Sequence, residues 1–223
     1  AGVDVGIKTL AVLSDGTEIA HPRHFVKSEH KLHREQRSLS RKVKGSHNRH
    51  KQRIIVAKVH QTIRRERDDF LHKLSRQLVD NYGLIIFEDL NISGMVKNHK
   101  LAKHISDAAW RKLIQYTTYK AEEAGAKVQL VNPKNTTQKC SNCGTIVPKT
   151  LADRVHNCPH CGLEMDRDLN ASINICTAGI AGNYAYRSEN NFTEANSDNR
   201  VIKCKDTAST LKHDNLEQVV LLK

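Results

Sequence analysis

Two pairs of cysteines and three isolated acids carry most of the chemistry available to this chain. "CSNC" at 140–143 and "CPHC" at 158–161 stand fourteen residues apart, and Gly144 and Gly162 follow the second cysteine of each pair. A Cys-x-x-Cys-Gly unit turns tightly enough to aim two thiolates to one side. Two such turns facing each other make a closed tetrahedral site for Zn²⁺. The spacing is one residue under the usual range, which a shorter hairpin absorbs. Cys140, Cys143, Cys158 and Cys161 are therefore expected to hold one structural zinc per chain. His156 and His160 also have ligand chemistry, but four thiolates complete the shell. Cys176 and Cys204 lie outside the pairs and read as a buried small hydrophobe and a tail thiol.

The acids are Asp4, between apolar neighbours in "GVDVG", Glu88, ending "LIIFE", and Asp168, in "CGLEMDRDLNASINI". Each has a bland explanation alone: a turn residue, a salt-bridge partner, a helix N-cap. Buried at strand ends, however, unpaired carboxylates are expensive. Three of them at element ends become tolerable together if they share a divalent cation, and hard oxygen donors suit Mg²⁺ or Mn²⁺. One or two such ions could activate water and stabilise the leaving oxygen in phosphodiester hydrolysis.

The net charge is +12, and residues 23–76 alone hold 17 Lys/Arg against 5 Asp/Glu. That stretch carries the whole imbalance, the footprint expected for a polyanion partner rather than for a small-molecule substrate. A solvated helical face is the competing explanation. Arg41, Lys42, Lys44, Arg49, Lys51 and Arg53 are the candidate nucleic-acid contacts, and Lys139, Lys149 and Arg154 leave the cysteine lobe a further contact.

The elements that must position these groups follow from periodicity. Residues 1–25 read as strands joined by a turn at Ser14-Asp15-Gly16. Residues 26–44 read as a basic surface helix, and a break at 45–48 precedes a long helix. In that helix Val56, Val59, Ile63, Phe70, Leu74 and Leu78 form one apolar stripe, interrupted by Arg67 and stopped at Gly83. "LIIFEDLN" reads as a central strand covered on both faces. "SGMVKNHKLAKHI" is expected to be a flexible basic loop, with Ser106 capping the next helix. "KVQLVNP" is a short strand, and Leu169, Ile173, Cys176 and Ile180 mark a last helical stripe. From about Gly182 the chain turns polar and is expected to be poorly ordered.

At 223 residues there is room for one good core plus a small module, filled mainly by aliphatics because aromatics are only 4%. No apolar run is long enough to span a membrane. No basic-then-apolar leader opens the chain, and "AGVDVG" reads as mid-strand, so a fragment lacking an N-terminal part is expected.

"GVDVGIKTLAVL", "IIFEDLNISGM", the two cysteine knuckles and "DRDLNASINI" together resemble the C-terminal half of the transposon-encoded TnpB/OrfB proteins, over residues 1 to about 182. These are RNA-guided DNA endonucleases, once named transposases and related to compact CRISPR type V effectors. The resemblance implies an α/β, RNase H-like (RuvC-like) mixed sheet flanked by helices, with an inserted four-cysteine zinc ribbon. It implies a nuclease domain at 1–134 and 164–182, including the basic helical segment 26–82. It further implies a zinc-ribbon target-binding insert at 135–163 and a tail at 183–223. Asp4, Glu88 and Asp168 match the family's catalytic positions, with Asp166 a neighbour that caps or tunes. Target DNA and guide RNA are the implied partners, the guide held largely by a half absent here. The implied setting is the cytoplasm of a prokaryotic cell, near the nucleoid. Two rivals stand beside this reading: a zinc-ribbon nucleic-acid-binding fragment with no activity of its own, and a transposase that transfers DNA strands.

Overall fold

The computed structural model describes residues 1–150 and 152–189. In chain order the elements are β1 (Gly2–Val5), β2 (Thr9–Leu13), β3 (Glu18–Ala20), α1 (His24–Ser40), α2 (His47–Asn81), β4 (Leu84–Glu88), α3 (Ile92–Met95) and α4 (His99–Ala108). They continue with α5 (Trp110–Glu123), β5 (Lys127–Val131), β6 (Val155–Asn157), β7 (Glu164–Asp166) and α6 (Arg167–Glu189). β1–β5 form a mixed sheet in the order β3-β2-β1-β4-β5, while β6 and β7 form a separate hairpin. The first three strands pair antiparallel, and β1–β4 and β4–β5 pair parallel. The β2–β3 turn closes at Gly16, whose φ of 91° suits glycine, with Thr17 N–H donating to Asp15 Oδ1 at 2.8 Å.

Side-chain alternation divides the sheet between two cores. Val3, Val5, Ile85 and Phe87 face α2, α4 and α5, packing with Leu71, Leu74, Leu78, Ile105, Trp110 and Leu113. Leu84, Ile86 and Val131 face α6, meeting Ile175 and Cys176. Every residue of β4 is buried, as expected of a parallel strand covered on both faces. Two glycines seat α6 closely. A Cβ on Gly2 would lie 2.1 Å from the Ser172 carbonyl oxygen, and one on Gly179 would lie 2.6 Å from Ile86 Cδ1.

The interruption of the α2 stripe has a structural purpose. Before it, Val56, Val59 and Ile63 form a small core with Leu32 of α1; after it, Leu71, Leu74 and Leu78 enter the main core. At the change of partner, Arg67 Nη2 donates to buried Asp107 Oδ1 at 3.0 Å. The same carboxylate accepts the Phe25 N–H at the start of α1. This buried ion pair, with the more exposed Lys103–Glu29 and Lys112–Asp68 pairs, ties the basic hairpin to the body.

Several expected boundaries move. The expected loop at 93–105 instead carries α3 and α4, because Asn91 and Asn98 cap them by accepting the Gly94 and Lys100 N–H groups. Ser106 lies inside α4; α5 instead starts after Ala109, whose left-handed φ of 53° separates the two helices. The first basic helix spans 24–40 rather than 26–44. The cysteine lobe runs past 163, since β7 pairs with β6 up to Asp166. The last helix passes Gly182 to Glu189. The rest of the expected tail, with Cys204, lies outside the described residues.

Candidate metal centres and nuclease site

Both cysteine pairs form the same knuckle. Cys140 N–H donates to Thr145 O and Gly144 N–H to Cys140 O; Cys158 N–H donates to Leu163 O and Gly162 N–H to Cys158 O. Gly144 and Gly162 take φ of 77° and 72°, which only glycine adopts cheaply. The pairs meet with Cys140–Cys161 and Cys143–Cys158 sulfur distances of 3.6 Å each. Tetrahedral Zn–S bonds near 2.3 Å need sulfurs roughly 3.8 Å apart, so the quartet fits such an ion. Burial pushes the Cys140 thiol up to about 12, so its thiolate needs a cation beside it. Hydrogen bonds from the Thr145 hydroxyl and backbone draw Cys143 down to about 5. His156 is not part of the shell: it is fully buried and its Nδ1 meets Lys149 Nζ. His160 is exposed.

The acids are arranged by register. Gly2 pairs with Ile86 and Val3 with Phe87, so continuing the parallel ladder sets Asp4 beside Glu88 at the carboxyl ends of adjacent strands. Alternation then decides the face. Asp4 shares the side of Gly2, against which α6 packs, and Glu88 shares the side of Ile86, which touches Gly179 of α6. Along α6, Ser172 and Cys176 lie over Gly2, and Asp168 sits one turn earlier, toward Asp4. Asp166 caps this helix, its Oδ1 accepting the Asp168 and Leu169 N–H groups at 2.8 and 3.2 Å. Glu164 sits exposed in the β6–β7 hairpin.

Electrostatics agree with this placement. The Asp4 carboxyl is raised well above the ordinary range, first by burial, then by the negative charges of Glu88 and Asp168, with Arg167 opposing. Burial also raises Glu88, which is 6% exposed, while a hydrogen bond donated by the Thr136 hydroxyl at 2.5 Å pulls it back. Among the described residues the four thiols are the one set of three or more metal-type donors gathered within 4.8 Å, so the carboxylates stand wider apart than that. Arg167 pairs with Asp168 at 2.9 Å.

These raised carboxyls predict a pH-dependent stability. Their neutral forms suit the fold, so the stability they allow is full below the unfolded carboxylate value near 4 and declines as pH rises through the higher folded values. Asp4→Asn is therefore expected to raise the melting temperature by a few degrees at pH 7, with no divalent ion added. The gain should vanish near pH 3.5. Equal gains at both pH values would show that acid repulsion is not what the substitution relieves.

Sequence reading missed the residues that lock the lobe onto α6. Asn170 and Asn174, one turn apart and buried, both donate to the Lys139 carbonyl; Asn174 also reaches the Thr136 carbonyl, and Asn170 accepts the Ser141 N–H. Their i, i+4 spacing was the available signal. On the basic hairpin, Arg41, Lys42, Lys44, Lys51 and Arg53 are exposed. Arg49 differs: its Nη1 donates to the Leu39 and Lys42 carbonyls and joins the two helices. The α1 face adds His30, Arg34 and Arg37 in line with Arg41, residues not singled out from sequence.

Residues 1–99 match the OrfB_IS605 model, described as a probable transposase, and residues 110–175 match the Cas12f1-like TNB domain. The chain is similar to the transposon-encoded TnpB/OrfB proteins. A provisionally named RNA-guided DNA endonuclease of Streptomyces pristinaespiralis is 43% identical over 182 residues, covering 81% of this chain and 45% of that protein. Escherichia coli K12 InsQ, with a similar provisional name, is 35% identical, covering 81% and 49%. The CRISPR-associated endodeoxyribonuclease Cas12f1 of Sulfoacidibacillus thermotolerans is 30% identical, covering 80% and 45%. The chain thus spans about half the length of these TnpB/OrfB and Cas12f1 relatives. The fold is shared with a Cas12f1 chain solved by cryo-EM with sgRNA and target DNA: TM-score 0.55, 19% identity, 78% of this chain and 48% of that one. No helix among the described residues is long and apolar enough to cross a membrane.

Proposed function

We propose that this chain is the nuclease portion of a transposon-encoded, RNA-guided DNA endonuclease, with an RNase H-like (RuvC-like) core and a zinc-ribbon insert. The observation that carries the proposal is the register-matched pair Asp4 and Glu88, electrostatically coupled to Asp168 on the helix packed over them. Asp4, Glu88 and Asp168 would hold one or two Mg²⁺ or Mn²⁺ ions, which supply an activated water and stabilise the leaving oxygen. The protein's own part is positional. Sheet register sets two carboxylates, and Asp166 fixes the start of the helix that carries the third. Burial keeps bulk water away from Glu88, and the Thr136 hydroxyl favours its ionised form. Because the acids must lose their protons before accepting an ion, metal affinity should fall as pH drops from 7 toward 5. The quartet Cys140, Cys143, Cys158 and Cys161 would hold a structural zinc.

Cleavage of guide-matched DNA by the full-length, guide-loaded protein, with and without Mg²⁺, tests this reading. Strand-joined products would favour the transposase instead, and DNA binding without cleavage a binding module.

The exposed α1–α2 cations are the proposed backbone contacts for DNA or guide RNA. Each phosphate neutralised contributes about 0.9 to the slope of log affinity against log salt on duplex DNA. Charge reversal at Arg41, Lys42, Lys51 and Arg53 should therefore flatten the slope by roughly 3.6. Arg49→Glu should instead loosen the hairpin, because its guanidinium is engaged by backbone carbonyls. An unchanged slope in the quadruple variant would leave this surface a solvated face.

A further inference from the structure

The zinc lobe grips the candidate nuclease site at two points, and neither uses a cysteine. On one side, the segment that enters the first knuckle carries Thr136, 8% exposed, whose hydroxyl donates to Glu88 Oε1. Its carbonyl is held by Asn174, and the Lys139 carbonyl next to Cys140 is held by Asn170 and Asn174 together. On the other side, Arg167 leaves the β6–β7 hairpin. Its backbone N–H donates to Arg154 O and its Nη1 to Asp153 O at 3.0 Å. Nε and Nη2 of the same guanidinium both reach Asp168 Oδ1 at 2.9 Å. The second and third acids are therefore each bonded to a residue whose own position depends on the folded lobe.

We propose that Thr136 and Arg167 are positioning residues through which zinc occupancy of the cysteine lobe sets the affinity of the Asp4–Glu88–Asp168 site for a divalent cation. This inference rests on the nuclease reading above. A hydroxyl donating to Glu88 Oε1 fixes the direction of that carboxylate, and a guanidinium held to the lobe limits where the Asp168 carboxylate can go. Groups that orient metal ligands in this way are worth about ten- to a hundredfold in metal affinity when removed. Coupling of two binding sites is reciprocal, so a cation on the acids must also strengthen the hold on zinc.

The test is Mn²⁺ binding followed by electron paramagnetic resonance on this chain, with zinc content measured in parallel. Wild type should bind Mn²⁺, and Asp4→Asn should abolish the binding. Thr136→Val and Arg167→Ala should each weaken it at least tenfold while keeping one zinc. Thr136→Ser should restore wild-type affinity, and Arg167→Lys should restore part of it. Mg²⁺ should slow zinc release to a chromogenic chelator in wild type and have no effect in the Thr136→Val/Arg167→Ala double variant. Mn²⁺ binding lost in Asp4→Asn but unchanged in Thr136→Val and Arg167→Ala would overturn the coupling and leave the nuclease reading intact. Wild type binding no more Mn²⁺ than Asp4→Asn would overturn both.

Discussion

Alanine at Asp4, Glu88 or Asp168 is expected to lower DNA cleavage by the full-length, guide-loaded protein roughly a thousandfold or more, with zinc content unchanged. On the proposed mechanism, losing one carboxylate would take away a metal ligand, and with it both the activated water and the charge that stabilises the leaving oxygen. The three variants should be similar in size, because the acids act as one unit and their effects do not add. Asp166→Ala should cost far less. Its carboxylate is committed to the Asp168 and Leu169 N–H groups, so its loss removes a helix cap worth about 1 kcal/mol. Single-turnover cleavage rates across a Mg²⁺ series make the comparison. Near wild-type cleavage by Asp4→Ala would end the proposal.

The second large effect concerns zinc. Cys158→Ser is expected to abolish binding of the one zinc ion proposed per chain and to unfold the lobe. Cys158 is fully buried and its sulfur lies 3.6 Å from that of Cys143, so serine breaks the quartet at its centre. The lobe has little else to hold it: β6 and β7 are three residues each, far below what folds unaided. Elemental analysis and amide exchange over residues 135–166 would read the outcome. Retained zinc with unchanged protection would show that the thiols are not a metal site. The sheet core, built on β1–β5 with α2 and α5, should survive, because its packing does not pass through the lobe.

How much of this was readable beforehand differs from residue to residue. The four cysteines were legible because a knuckle is local: two thiolates and a glycine within five positions define its geometry. The buried β4 was legible from an unbroken apolar run, and the α2 stripe from its period, including the break at Arg67. Residues 93–105 misled because their basic, polar character outweighed two asparagine caps. Asp107 gave no signal at all, since its partners Arg67 and Phe25 come from other elements.

Local chemistry alone therefore determined the four-cysteine cluster, the strand-end location of Asp4 and Glu88, the helix that follows Asp166 and the basic character of α1 and α2. These depend on residue type, spacing and periodicity within a few turns of chain. Tertiary structure decided which acids meet. Strand order put β1 against β4, register set Asp4 beside Glu88, and Gly2 and Gly179 let α6 approach closely enough to bring Asp168 over them. It also recruited Thr136 and Arg167, ordinary in sequence, as the lobe's two holds on those acids. The physical reason is that a carboxylate's burial and charge partners come from whichever elements pack against it, and pattern along the chain does not encode that choice.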